Sequence, residues 1–189
     1  DAKADVTAVG SFYGYNSLVA NSLTGNTVTI DAGQVTLEKV NATVDKLKKD
    51  TNDTILGTIK LTVNSGKNVE MSKMKLHIKS VNDAPSGVEF AQIENVEIFN
   101  KTNNTTYDLS YASESGITKI YENNSLGLIL NSGVTYELVV RADVKANASN
   151  GDYEVSIADA ASDLVMKETG NDTLITDITP NALTLKKVI

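Results

Sequence analysis

Few residues in this chain could do chemistry, and the lone histidine comes first. His77 sits in a run where Lys73, Lys75, His77 and Lys79 alternate with Met74, Leu76 and Ile78. An imidazole can act as the base of a Ser-His-Asp site, but no Gly-x-Ser-x-Gly elbow accompanies it. The 189 residues contain no Cys, which excludes disulfides, thiolate zinc sites, iron–sulfur clusters and cysteine nucleophiles. One His excludes any site that needs two imidazoles from one chain. Paired carboxylates could serve glycoside hydrolysis, yet no pair is singled out. With no Trp, seven Tyr and three Phe, aromatic walls for a sugar are thin. The sequence therefore predicts no catalytic centre. The basic stripe reads as a solvated strand face, or else as a contact with an acidic patch on a neighbouring subunit.

Oxygen ligands and amide acceptors are more plentiful. Asp50-Thr51-Asn52-Asp53 gathers acidic and amide groups in one loop, which makes Asp50 and Asp53 candidate calcium ligands, because calcium takes six to eight oxygens from flexible loops. Asn82-Asp83, Asp152 with Glu154, and Asn171-Asp172 are thinner versions, and none follows the twelve-residue EF-hand pattern. Asn-x-Ser/Thr sequons occur at Asn41, Asn52, Asn100, Asn103, Asn104, Asn123, Asn147 and Asn171, eight in all. The chain has 19 Asn, and 35 of its 189 residues are Ser or Thr, so random placement predicts between three and four. The excess points to glycosylation on an exported chain, with the sites in exposed loops. Turn chemistry favours the same residues and is the alternative source of the excess.

The elements that must position these groups are strands. From Ile55 to Val63, Ile55, Ile59, Leu61 and Val63 share a side, with Leu56 out of phase. Val134, Tyr136, Leu138, Val140, Ala142 and Val144 share another, and Tyr153, Val155 and Ile157 a third. Such alternation marks half-buried antiparallel strands. Weaker strand signals cover Thr27–Ile30, Gln34–Val40, Ile93–Phe99, Thr105–Leu109, Ile117–Tyr121, Leu126–Leu130, Leu164–Lys167, Leu174–Ile178 and Ala182–Ile189. Turn clusters such as Asn64-Ser65-Gly66 and Asn131-Ser132-Gly133 separate them at about 8–12 residues, the rhythm of a sandwich or jelly roll. The best helix candidate is Ala42–Lys49, where a loop is equally compatible. The fold class expected is all-β: a single antiparallel β-sandwich, jelly-roll or Ig-like, with an extended N-terminal strand arm.

That arm carries the most informative pattern. The even positions Ala2, Ala4, Val6, Ala8, Gly10, Phe12 and Gly14 are all small or apolar, and the odd ones are mostly polar. Thirteen alternating residues would span about 43 Å at roughly 3.3 Å per residue, at least double a usual strand. A strand cannot satisfy its backbone alone. It pairs either within its own sheet or by adding to the sandwich of a neighbouring copy, with those seven side chains as the subunit interface. A head-to-tail contact of the second kind propagates rather than closes. The division expected is 1–25 for arm and linker and 26–189 for the sandwich.

Net charge is -7 and the pI about 4.7, so there is no general electrostatic footprint for nucleic acid or anionic membrane. No stretch approaches the roughly 20 apolar residues of a membrane helix. The chain starts at Asp1 without Met, which reads as a mature or trimmed product. The stretch GTIKLTVNSGKNVEMSKMKLHIK from Gly57 to Lys79, and Val96–Lys101 with Tyr136–Val144, resemble the β-sandwich modules of prokaryotic S-layer and surface proteins. The arm followed by one sandwich is similar in layout to archaeal extracellular filament subunits: threads, bundling pili and cannulae. That resemblance implies structural self-assembly by donor-strand complementation, with glycosylation known among threads and calcium among cannulae. The expected protein is an extracellular structural subunit whose partners are copies of itself. The alternative is a monomeric surface adhesin or S-layer-associated binding module.

Overall fold

A computed structural model describes residues 7–9, 16–18, 33–40, 46–80, 93–148 and 152–188. The chain divides into two compact units, Asp1–Asp31 and Ala32–Ile189. In the first, β1 (Thr7–Val9) pairs antiparallel with β2 (Asn16–Leu18), Ala8 lying opposite Ser17. The second strand falls where the sequence suggested a linker.

The second unit is a β-sandwich, as the period-two patterns predict. Its strands are β3 (Val35–Val40), β4 (Thr51–Val63), β5 (Val69–Ser80), β6 (Ile93–Asn100), β7 (Thr105–Asp108), β8 (Ser110–Ser115), β9 (Thr118–Asn123), β10 (Leu128–Leu130), β11 (Thr135–Val144), β12 (Asp152–Ile157), β13 (Leu164–Glu168), β14 (Ile178–Thr179) and β15 (Leu183–Val188). One sheet runs β14-β3-β4-β11-β6-β7. The other runs β15-β12-β5-β9-β8, with β13 and β10 pairing the first residues of β5. Every pairing in the sandwich is antiparallel except the short β14–β3 contact. One helical turn, α1 (Ala160–Asp163), lies between β12 and β13.

Alternation turns into packing strand by strand. In β5, Leu76 and Ile78 are fully buried while Lys75 and His77, which alternate with them, are not. In β11, Tyr136, Leu138, Val140, Ala142 and Val144 are buried as one face. Two bulges shift the phase. Leu56 is skipped in the β4–β11 register, so Leu56 turns inward and Ile55 outward, 49 % exposed. This corrects the expectation that Ile55 shares the inner face and Leu56 is the exception. Ser72 is skipped in the β5–β13 register, which moves the buried phase from Met71 to Met74.

Other expectations change too. Within Ala42–Lys49, residues 46–49 are not helical and 42–45 lie outside the described residues. Ser110–Ser115 gave no alternating signal yet forms β8, an edge strand with all six residues exposed. Leu174–Ile178 contributes only an isolated bridge, Leu174 to Lys167, and the start of β14.

Candidate functional site

The two lateral seams of the sandwich differ. At one, β7 and β8 are consecutive strands of opposite sheets, joined through the single residue Leu109. Leu109 is buried, and its N–H donates to the Val96 carbonyl at 2.8 Å. The chain itself crosses that seam and ties the sheets. At the other seam, β15 ends one sheet and β3 nears the end of its own. β15 bonds β12 on one side, and its outer edge has no strand partner among the described residues. β3 bonds β4 along its length, but β14 covers only Val35 and Thr36 on its outer side. The outer edge from Leu37 to Val40 is therefore also without a strand among the described residues.

Close packing brings β15 to this seam. A Cβ built at Gly57 of β4 would lie 2.2 Å from Leu185 Cδ1, so Leu185 in its present position packs directly onto the glycine and any larger residue would make it shift. Neither edge of β11 is open to a further strand. β11 is a central strand, bonded by β4 on one side and β6 on the other. Of the arm residues, Ala8 lies in β1; Ala2, Ala4, Val6, Gly10, Phe12 and Gly14 lie outside the described residues.

A second cluster centres on Asp163, whose side chain is only 2 % exposed. Lys75 Nζ lies 2.7 Å from Oδ1, and His77 Nε2 lies 3.1 Å from Oδ2. The backbone N–H groups of Ala158 and Asp159 also donate to Oδ2, at 2.8 and 3.2 Å. Burial pushes the Asp163 carboxyl up, but the Lys75 ammonium, the two N–H donors and His77 outweigh it and hold the group below the usual carboxylate range. The basic stripe is thus not a bare solvated face. Lys75 and His77 lean over a buried carboxylate from the same subunit, and Lys73 reaches Glu122 at 3.6 Å. The imidazole faces an Asp, two-thirds of a Ser-His-Asp arrangement. Ser156 Oγ donates to the His77 carbonyl at 3.5 Å, so that hydroxyl is directed to the backbone and not to the ring. The sequence missed Asp163 because it lies 86 residues from His77, in a helical turn too short to leave a periodic signal.

The loop candidates separate. Asp50 and Asp53 are both exposed and both have positive φ, at the bulged start of β4. The Asp53 N–H donates to Asp143 Oδ1 at 3.0 Å. Among the described residues no three acidic or His side chains converge as a metal site would require. Of the sequons, Asn52, Asn103, Asn104, Asn147 and Asn171 are exposed, and Asn123 is half-buried with its amide donating to the Asp108 carbonyl. Asn100 is fully buried at the end of β6, and its Oδ1 accepts from the Thr102 N–H. No glycan fits on it, which corrects the expectation that every sequon is exposed. Asn41 lies outside the described residues.

An aromatic hollow escaped the sequence reading. Tyr111 on β8 is 55 % exposed and meets Tyr121 edge to face at 6.1 Å, while Lys119 Nζ lies 5.6 Å from the Tyr111 ring centre. The hollow beside it, about 550 Å³, is floored by Ile93, Leu109 and Tyr121. Tyr121 hydroxyl donates to the buried Ile93 carbonyl at 3.1 Å, and burial pushes its pKa up to about 12.

No family model and no curated protein matches this chain. Among solved structures, AvmM, which catalyses macrocyclization in alchivemycin A biosynthesis, is similar over 82 % of this chain and 88 % of its own, at 8 % identity and a TM-score of 0.46. A family 123 glycoside hydrolase from Clostridium perfringens is similar over 84 % of this chain and 27 % of its own, at 8 % identity and a TM-score of 0.37. Both are enzymes, and both likenesses are too loose to carry a functional argument.

Proposed function

We propose that this protein is a structural subunit that self-assembles outside the cell into a filament or tubule, each copy adding its N-terminal segment to the sandwich of the next. The observation that supports this reading is the open seam. The outer edges of β15 and of β3 beyond Thr36 present backbone groups with no strand partner among the described residues. An incoming strand would continue either sheet and satisfy them. In the described chain, Thr7–Val9 is paired only with Asn16–Leu18, a three-residue ladder. Two short strands alone are marginal in water, so trading that ladder for a longer one on a neighbour is favourable. Because donor and acceptor are different surfaces, the contact is heterologous and propagates.

Val6→Asp in the full chain is the direct test, because it places a charge in the middle of the arm's apolar set. Filaments from the unaltered chain and none from the variant are expected; filaments from both would refute arm donation. In the same reading, Asn52, Asn103, Asn147 and Asn171 are exposed sequons suited to glycans on the assembled surface, and intact-mass measurement of native material checks this. The second reading, a monomeric adhesin, draws support from Tyr111 beside its hollow. It predicts a monodisperse 20.2 kDa species in every buffer.

A further inference from the structure

Four side chains form one row across the outer face of the seven-stranded sheet. Ile129 of β10 lies opposite Glu70 of β5, Glu70 opposite Lys167 of β13, and Lys167 opposite Leu174 through its isolated bridge. The neighbours on either side of the first three are buried: Leu128 and Leu130, Val69 and Met71, Met166 and Glu168. Strand alternation therefore points the row away from the core. Ile129 is 46 % exposed and Leu174 45 %, two of the four large apolar side chains exposed among the described residues. Glu70 and Lys167 take part in no ion pair among the described residues.

The row reads apolar, acidic, basic, apolar, and it is its own complement when reversed. A two-fold axis parallel to the strands, between β5 and β13, lays Ile129 over the second copy's Leu174 and Glu70 over the second copy's Lys167. The same operation sets Lys167 on Glu70 and Leu174 on Ile129. Both charges gain an opposite charge, and both apolar ends gain an apolar cover.

We propose that this face docks a second copy of the chain, row against reversed row. The contact is isologous and closes as a pair. It differs from strand addition at the seam, which propagates, and it neither needs nor uses residues 1–15. In an assembled fibre it would join two fibres side by side.

The absence of Cys makes the test clean. Full-length Ile129→Cys and Leu174→Cys chains are mixed with a short bismaleimide, which bridges thiols on sheets packed about 10 Å apart, and cross-linked dimer is read on a denaturing gel. The mixture is expected to cross-link at least tenfold faster than either variant alone. Within one row the two ends lie about 14 Å apart across three strand spacings, so identical positions on two copies lie about 17 Å apart, whereas Ile129 and the second copy's Leu174 face each other across about 10 Å. Adding Glu70→Lys to both chains sets Lys against Lys and should abolish the advantage. Putting Glu70→Lys on the Ile129→Cys chain and Lys167→Glu on the Leu174→Cys chain sets two Lys against two Glu and should restore it. A merely structural role for either residue within one chain cannot produce that rescue. Equal rates for the mixture and the single variants, or a rate indifferent to charge reversal, would overturn the proposal. Cross-linking is read per pair of chains, so the result stands whether or not the chains also form filaments.

Discussion

At the scale of single residues, the polar centre of the sandwich is Asp163. The carboxylate is buried and is held by one ammonium, one imidazole and two N–H groups. Asp163→Asn keeps the shape but leaves Lys75 facing a neutral amide and should cost about 3 kcal/mol, measured by urea unfolding. The pH dependence has a definite sign. A carboxyl held below its unfolded value releases its proton more readily in the folded state. Its stabilisation is therefore complete above the unfolded pKa of about 4 and is lost as pH falls through the depressed folded value. Acid titration of stability should show a drop below about pH 4 that is shallower in Asp163→Asn. Tyr121→Phe removes the hydroxyl that meets the buried Ile93 carbonyl and should cost about 1 kcal/mol, with the folded titration near pH 12 disappearing from the ultraviolet spectrum.

At the scale of elements, the strands with one buried face were legible in the sequence and the others were not. β11 and the second half of β5 follow period two because one side meets the core and the other does not. β8 has neither face buried, so nothing selected its pattern, and it read as a gap. Bulges are invisible to a strict alternation count, which is why Ile55 and Leu56 exchanged roles. The His77–Asp163 contact joins residues far apart in sequence, and only the pairing of β5 with β12 and β13 brings them near. Gly57 is the position where β15 packs, through Leu185. Gly57→Ala should destabilise by about 1–3 kcal/mol and Leu185→Ala by about 2–4 kcal/mol. Shared space makes the double variant less destabilised than the sum, a coupling that denaturant melts of the four proteins would reveal.

At the scale of the whole molecule, one seam is closed by the chain and, among the described residues, the other is left to strand edges. Proteins usually blunt such edges or cover them, because unpaired N–H and C=O groups recruit other chains. A subunit built to polymerise has the opposite need: an edge that is kept open for one specific strand. Residues 1–31 form a unit of their own, and the sandwich of 32–189 carries its own buried core. Removing residues 1–15 should therefore leave the sandwich folded while taking away the strand that we propose is donated. Electron micrographs of the unaltered and truncated chains, prepared side by side at equal concentration, test this most directly. The account predicts filaments or tubes from the unaltered chain and only single particles from the truncated one. Filaments from the truncated chain, or single particles from both, would contradict it.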